Sequence, residues 1–572
     1  MQTKSVKLST DFLIKGRQPR RFRFNFGNGT LAVTCLLLCM LIVLPLGTVL
    51  VRAIFHDGDL MIVKSLQAIV QQQNIQTIFN TLLLGLAVVV TSTFIALPLA
   101  FLTARTHLAH YKWLDIVLMI PFMTPPYIAS MGWILFTQRN GLFQQLFPWT
   151  GGWSEHFLSF VGLVLVMSFH LFPFMLTILK NALLNVSPSL EESAAIHGGK
   201  LTYRLRRILL PLVTGHYAIG ALLVFIKTAS EFGTPATIGR RIGYSVFVTE
   251  IQRHATVAPI DFGTSAALSA VLISICLFAW LIQNYISSRK TYQLVGGKGN
   301  RQSFTQLKGV RLGLALAYLA MVLLVTIGIP YFAVVTTSLI HIRGFGMAAG
   351  NFTLLHYRML FTANPRGIQA LQNSLFLGVV TATITSILGI LCATMIRKRK
   401  SYLAGSVNVI GLIPDMLPSI VFVIGIMLFW NQIHHILPLY NTLWILIIAY
   451  VALFLPFTIQ SVTSSYSQMS ESLISAGRVF GGRSWYIFRR ITLPLLFRGI
   501  LVGWMMTFII AFRELVTASI IAPPNTPVVS TFIMREFEQG SVSVGMAMAV
   551  ITVVFTISFL VVINHYVLKG KN

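Results

Sequence analysis

The chain has 572 residues, 55% of them apolar and only 10% charged, with 43 Lys+Arg against 15 Asp+Glu and a formal net charge of +28. A soluble domain is about a quarter charged, so this chain has too few charges to cover a water-facing surface of its size. In a soluble protein such an excess of basic residues would point to nucleic acid; in a chain this apolar it reads as basic loops that set membrane orientation.

Apolar runs of roughly 20 to 28 residues suit helices that cross a ~30 Å hydrocarbon core. Only helices or closed barrels satisfy every backbone group in lipid, and unbroken runs of this length favour helices over short alternating strands. Met1 to Thr30 is polar and basic, and the run Leu31 to Val51 is longer than a signal-peptide core, so it reads as a retained first span. Twelve spans are predicted in chain order, at 31–52, 77–104, 113–136, 157–180, 208–230, 262–286, 311–338, 370–396, 404–431, 437–463, 491–512 and 541–567. The expected fold class is an all-α polytopic membrane protein of about 12 transmembrane helices.

An even number of spans puts both ends on one side and divides the loops into two alternating sets. One set holds most of the basic residues, among them Lys15, Arg17, Arg20, Arg21, Arg397, Lys398, Arg399 and Lys400. That asymmetry predicts cytoplasmic termini in a multi-pass protein. The four cysteines, Cys35, Cys39, Cys276 and Cys392, lie inside apolar runs without metal spacing and read as small core residues.

The two halves repeat. Ile120-Pro121-Phe122-Met123-Thr124-Pro125 recurs as Ile413-Pro414-Asp415-Met416-Leu417-Pro418, and Asn80-Thr81-Leu82 as Asn373-Ser374-Leu375, both at an offset of 293. Arg207-Ile208-Leu209-Leu210-Pro211 recurs as Arg490-Ile491-Thr492-Leu493-Pro494, and Glu231 as Glu514, both at 283. A six-span period makes the repeats parallel, enclosing a path at their interface. Paired prolines at matched positions suggest a shaped segment in each half, lining that path.

The loop before each Ile-x-Leu-Pro carries the most specific signal. The first reads Glu191-Glu192-Ser193-Ala194-Ala195-Ile196-His197-Gly198-Gly199, then basic residues, then Ile208-Leu209-Leu210-Pro211. It resembles the loop of binding-protein-dependent ABC importer permeases, whose pattern is Glu-Ala-Ala, three residues, Gly, nine residues, Ile-x-Leu-Pro. Glu192, Ala194, Gly198, Ile208 and Pro211 fall at the right spacing. The second copy keeps Ala476, Gly481, Ile491 and Pro494 but has Ser475 in the Glu position; Glu471 lies one helical turn earlier.

The resemblance implies the type I ABC importer permease fold, as two parallel six-span repeats. The corresponding domains are a basic tail (1–30), a first permease domain (31–290, coupling loop 186–211), a linker (291–310), a second permease domain (311–567, coupling loop 469–494) and a short tail (568–572). The fused layout looks most like ferric iron permeases of the iron(III)/thiamine/spermidine-type group. By resemblance the partners are an ATPase dimer on the cytoplasmic side and an extracytoplasmic substrate-binding protein, in a bacterial cytoplasmic (inner) membrane, with no nucleic acid. ATP and Mg would be bound by the ATPase. This sequence has no Gly-x-x-x-x-Gly-Lys-Ser/Thr loop, no His-Glu-x-x-His and no Cys-x-x-Cys, so no cofactor and no catalysis are expected in the chain itself.

Ionisable residues inside spans are costly and mark candidate pathway sites. Asp415 sits mid-span with no charge partner nearby in sequence. Lys227 and Glu231 are four apart on one helix and can pair; Glu514 adjoins Arg513. Glu231 and Glu514 either face each other at the outer mouth, where carboxylates suit a hard cation such as ferric iron, or serve as salt-bridged supports held by Lys227 and Arg513. His170 reads as a satisfied core histidine. Arg240, Arg241, Arg253, Arg343, Arg358 and Arg366 in the outer loops suit either acidic patches on a binding protein or an anionic substrate. Alternatives to iron are an organic phosphate or phosphonate, thiamine or a polyamine, and an alternative of another class is an ion-coupled secondary transporter.

Overall fold

The computed structural model describes residues 26–289 and 304–568, apart from positions 57, 58, 61, 363 and 398–401. The basic tail, the linker, the last residues and Lys15, Arg17, Arg20, Arg21, Lys398, Arg399 and Lys400 therefore lie outside or almost wholly outside the described residues. Among those described, the named sheet is one two-stranded ribbon, Phe55–His56 against Asp59–Leu60.

Nine helices of the first half have counterparts in the second. The first set is α1 (Ala32–Ile54), α2 (Gln72–Arg105), α3 (Lys112–Met123), α4 (Pro126–Thr137), α5 (Phe160–Asn185), α6 (Pro188–Ile196), α7 (Leu210–Ser230), α8 (Phe247–Thr256) and α9 (Phe262–Arg289). The second is α10 (Gly309–Leu339), α11 (Pro365–Arg397), α12 (Tyr402–Met416), α13 (Ser419–Gln432), α14 (Leu443–Ser467), α15 (Glu471–Val479), α16 (Leu493–Phe512), α17 (Val529–Glu538) and α18 (Val542–Leu568). Each element is followed nine helices later by its repeat, so the duplication extends to the short helices between spans.

Among the described residues ten helices are long and apolar enough to cross a membrane, and two bent pairs bring the number to twelve if each pair is one span. The bent pairs correct the sequence reading. The segments expected as single spans at 113–136 and 404–431 are broken helices, α3 with α4 bent by 85° and α12 with α13 by 112°. The cause is local: a residue before proline is pushed out of the helical region. Thr124, before Pro125, is extended at ψ 133°, and Pro125 and Pro418 sit at ψ 129° and 132°. Pro125 also has no N–H for the Pro121 carbonyl four residues back. His170 Nδ1 meets that carbonyl at 2.9 Å, the satisfied core role expected for this histidine.

Prolines elsewhere are absorbed without a break. Pro45 and Pro330 in α1 and α10, and Pro211 and Pro494 at the starts of α7 and α16, each follow a wide π-turn. Such a turn relieves the clash and re-routes the lost bond.

The first helix of each half packs against the broken helix of the other half, α1 on α13 and α10 on α4. Matched glycines permit the crossing. A Cβ on Gly132 would sit 2.6 Å from the Pro330 carbonyl oxygen, and one on Gly425 would sit 2.5 Å from that of Pro45. Small residues at helix crossings allow the close backbone approach on which packing in lipid depends.

The recurring Asn80-Thr81 and Asn373-Ser374 have a structural job. Asn80 Nδ2 donates to the Ser245 carbonyl at 3.0 Å, and the Phe247 N–H donates to Thr81 Oγ1 at 2.9 Å. In the second half Asn373 Nδ2 reaches the Pro527 carbonyl at 2.8 Å, and the Val529 N–H reaches Ser374 Oγ at 2.9 Å. Each pair thus secures the first turn of α8 or α17 to its long helix, satisfying backbone groups a helix start leaves open.

Candidate functional site: two capped short helices and two broken helices

Helices α6 and α15 lie between spans at the end of the molecule opposite α8 and α17. Both end in the same cap. Gly198 and Gly481 each have φ +79°, the left-handed conformation that costs a side chain dearly. Beyond them the Gly199 N–H returns to the Ala194 carbonyl at 2.7 Å and the Gly482 N–H to the Gly477 carbonyl at 2.9 Å. These are the six-to-one bonds of a Schellman motif. The second glycine of each pair is needed for space, since a Cβ would lie 2.7 Å from the Ala194 oxygen at Gly199 and 2.6 Å from the Gly477 oxygen at Gly482.

The caps leave apolar side chains in the open. Ile196 and Val479, matched by the repeat, are each 83% exposed, and Phe480 is 89% exposed. The Ile of the Ile-x-Leu-Pro signature also has a contact: Ile491 reaches α15 close to Gly477, where an added Cβ would be 2.9 Å from its Cδ1. Ile208 is half-buried, while Pro211, Pro494, Ser475 and Ala476 are exposed. Glu192 has its backbone in α6, but its side chain lies outside the described residues.

Arg105 at the end of α2 and Arg397 in α11 reach the segments that lead into α6 and α15. Buried Arg105 donates from Nη2 to the carbonyls of Leu183 at 2.6 Å and Val186 at 2.8 Å, capping the C-terminal end of α5 just before α6. At the offset of 293 Arg105 corresponds to Lys398, outside the described residues; the preceding Arg397 stacks on Tyr466, 5.2 Å from the ring centre, at the end of α14. It also reaches Glu471 at 3.8 Å, the first residue of α15. Glu471 therefore bonds to the long helix in the second loop, where Ser475 replaces the motif's acid. Sequence reading counted Arg397 only among the basic loop residues and left Arg105 unremarked.

The candidate pathway carboxylates are committed to the backbone. Glu231 accepts from the Thr234 N–H at 3.1 and 3.2 Å. Glu514 accepts from the Thr517 N–H at 3.1 and 2.9 Å and the Ala518 N–H at 3.3 Å. Each caps the short helical segment that follows its span, as an anionic group at a helix start should. The expected Lys227–Glu231 pairing is not formed. Lys227 instead meets Asp415 at 3.3 Å, joining α7 of one half to the broken helix of the other. Neither glutamate has an ion pair among the described residues, so the salt-bridged support by Lys227 and Arg513 is corrected to backbone capping. No group of three or more His, Cys, Asp or Glu suited to a metal occurs among the described residues.

A bundle with two broken helices at the interface of its halves, and two matched capped helices projecting from one end, defines the membrane-spanning subunit of a transporter. The chain belongs to the binding-protein-dependent transport system inner membrane component family, whose model matches residues 96–292 and again 385–569. It is similar to the ferric transport system permease protein FbpB of Actinobacillus pleuropneumoniae, 24% identical over 92% of this chain and 76% of that protein. It is also similar to the Fe(3+)-transport system permease protein FbpB 2 of Haemophilus influenzae, 22% identical over 91% of this chain and 96% of that one. The spermidine/putrescine transport system permease protein PotC of Escherichia coli K12 is 24% identical over 40% of this chain and 84% of its own length. The protein is thus an ABC importer permease, a multi-pass component of the inner membrane carrying two copies of the family domain.

Proposed function

We propose that this permease imports ferric iron, received from an extracytoplasmic binding protein, with ATP hydrolysed by a separate ATPase dimer docked on α6 and α15. The observation that carries the coupling part is the duplicated cap, with φ +79° at both Gly198 and Gly481 and exposed apolar residues beside each. Rigid short helices presenting apolar tips suit insertion into a partner groove better than a slack loop would. The excess of basic residues in one set of loops favours α6, α15 and both termini in the cytoplasm, with α8 and α17 then on the outer side. The iron part rests on relatives named as ferric transport permeases that span most of the chain.

In this reading iron is cargo. Glu231 and Glu514 hold the turns after α7 and α16, and the Lys227–Asp415 pair ties the halves together along the path. The test is uptake of radiolabelled ferric iron in a strain lacking the gene, complemented by wild type or by Gly198→Glu with Gly481→Glu. Restoration by wild type alone is the expected result. Unchanged iron uptake in the deletion strain under iron starvation would overturn iron as the substrate, and labelled polyamine or phosphate ester would be tried next.

A further inference from the structure

Where α16 of the second half ends, Arg513 stands against the broken helix of the first half. It is close enough to Tyr127, at the start of α4, and to Tyr331, on α10, for its charge to act on both hydroxyls. Its Nη1 is buried with no hydrogen-bond partner, and the side chain makes no ion pair among the described residues. Tyr127 is 2% exposed, and its hydroxyl is likewise buried without a partner. Tyr331 Oη lies 2.6 Å from Thr124 Oγ1, and Thr124 is the extended residue at which that helix breaks.

The carboxylates nearest in the argument are engaged elsewhere. Glu514, next in the chain, accepts from the Thr517 and Ala518 N–H groups, Glu231 from that of Thr234, and Asp415 faces Lys227. At the repeat positions of Arg513 and Tyr127 stand Ser230 and Ile420, so the arrangement occurs once. Ser230 Oγ donates to the Ile226 carbonyl at 2.7 Å. The first half thus makes the same turn without a guanidinium or a phenol, and the repeated packing does not require them. A charged group held among membrane helices without a partner is costly and marks a site of function. Positive charge continues toward the end that carries α8 and α17: Arg139, just beyond α4, and Arg343 line one cavity of about 230 Å³ whose lining holds no carboxylate.

A guanidinium and a phenol hydroxyl are donors, and what both lack here is an acceptor. We infer that Arg513 and Tyr127 form an oxyanion site on the path between the halves, so that cargo passes with a carboxylate or phosphate group turned to Arg513. The planar fork of an arginine takes two oxygens of such a group in parallel. The inference rests on the transport reading above and deepens it. A bare ferric ion would meet a fixed positive charge at close range, whereas ferric iron already wrapped by an oxyanion presents negative oxygen to it. A free organic acid or phosphate ester offers the same chemistry, and the two sources are separated by experiment.

The test is equilibrium binding to the full chain with its ATPase subunits in lipid nanodiscs. Three probes are used: ferric citrate labelled on iron, labelled citrate alone and labelled inorganic phosphate alone. Saturable binding of ferric citrate to wild type is expected, weakened about tenfold by Arg513→Gln and about threefold by Tyr127→Phe. Arg513→Lys keeps the charge but loses the fork, and should fall between wild type and Arg513→Gln. Co-purification of the ATPase shows that each variant is folded; Tyr127→Phe, a change of one oxygen, carries the test where Arg513→Gln does not assemble. Equal binding by wild type and the variants overturns this inference and leaves iron as cargo. Binding of citrate or phosphate alone as tight as that of ferric citrate, and equally sensitive to Arg513, supports the site and overturns iron as the substrate. No saturable binding of any probe to wild type overturns this inference, while iron still stands or falls by the uptake test above.

Discussion

Lys227 of α7 and Asp415 of α12 meet at 3.3 Å across the interface of the two halves, with 31% and 40% of their side chains exposed. Their repeat positions are Ile510 and Phe122, so the pair exists once and breaks the twofold symmetry. At such exposure its contribution to stability is small, about 0–1 kcal/mol. Asp415→Asn and Lys227→Met should each leave the melting temperature of the purified permease nearly unchanged while altering the transport rate in proteoliposomes. The exchange Lys227→Asp with Asp415→Lys should recover more of that rate than either single change. A swap no better than the single variants would show that the pair has no role in the cycle.

The caps of α6 and α15 give a graded expectation. Gly198→Ala and Gly481→Ala meet no neighbouring atom, so they cost only the left-handed backbone, about 1–2 kcal/mol each. Gly199→Ala carries no left-handed cost but sets its Cβ 2.7 Å from the Ala194 carbonyl oxygen, a clash with backbone that should be worse. Co-purification of the ATPase should fall in that order, while membrane insertion and yield stay constant. Equal effects at Gly198 and Gly199 would show that the cap conformation is not what the partner requires.

Arg105 and Arg397 both reach the segments that lead into α6 and α15, by different chemistry. Arg105→Ala leaves the Leu183 and Val186 carbonyls unmet in a buried place, at about 1–3 kcal/mol per group. Arg397→Ala removes a long ion pair to exposed Glu471 and a stacking contact, and should cost about 1 kcal/mol. Thermal unfolding of the two variants in the same lipid measures the difference. If Arg397→Ala proved the more damaging, the ranking by burial would be wrong.

Glu250 sets an acid limit at α8. Burial pushes its carboxyl up, but hydrogen bonds and charge from His254 and Arg253 more than reverse this, and it titrates at about 2 rather than 4.5. A depressed folded value contributes stability above the unfolded value, lost as pH falls from 4.5 through about 2. The amount is on the order of 3 kcal/mol. The melting temperature should therefore be insensitive to this group from pH 8 to 5 and fall below that. Glu250→Gln should lower it at pH 7 and flatten the acid limb. An unchanged acid limb in this variant would assign the loss to other groups.

Gly132 and Gly425 offer a symmetric test of the crossed packing. Either glycine changed to Leu drives a side chain into backbone 2.6 or 2.5 Å away, at Pro330 or Pro45. Overpacking of this kind costs about 1–3 kcal/mol or more, and the two variants should lose expression to a similar degree. A large difference between them would mean that the two crossings are not equivalent.

Much of this was legible in the chain itself. The apolar runs, the parallel duplication and the Gly-to-Pro spacing around Gly198 and Gly481 are properties of residue order. They depend on local rules: helix length in lipid, a left-handed cap that favours glycine, proline disrupting the helix before it. The paired prolines even marked the broken helices, although those were expected as whole spans. The partners of charged groups were a different matter. Sequence proximity joined Lys227 to Glu231, whereas the fold joins Lys227 to Asp415, 188 positions away. It left Arg105, Gly132 and Gly425 unremarked, and it left Glu231 and Glu514 open between a hard cation and salt-bridged support, whereas each accepts from the backbone of the turn after its own helix. Which carboxylate meets which cation, and which backbones touch, is set by helices crossing between halves; chain order fixes the helices, and only their packing in three dimensions selects those neighbours.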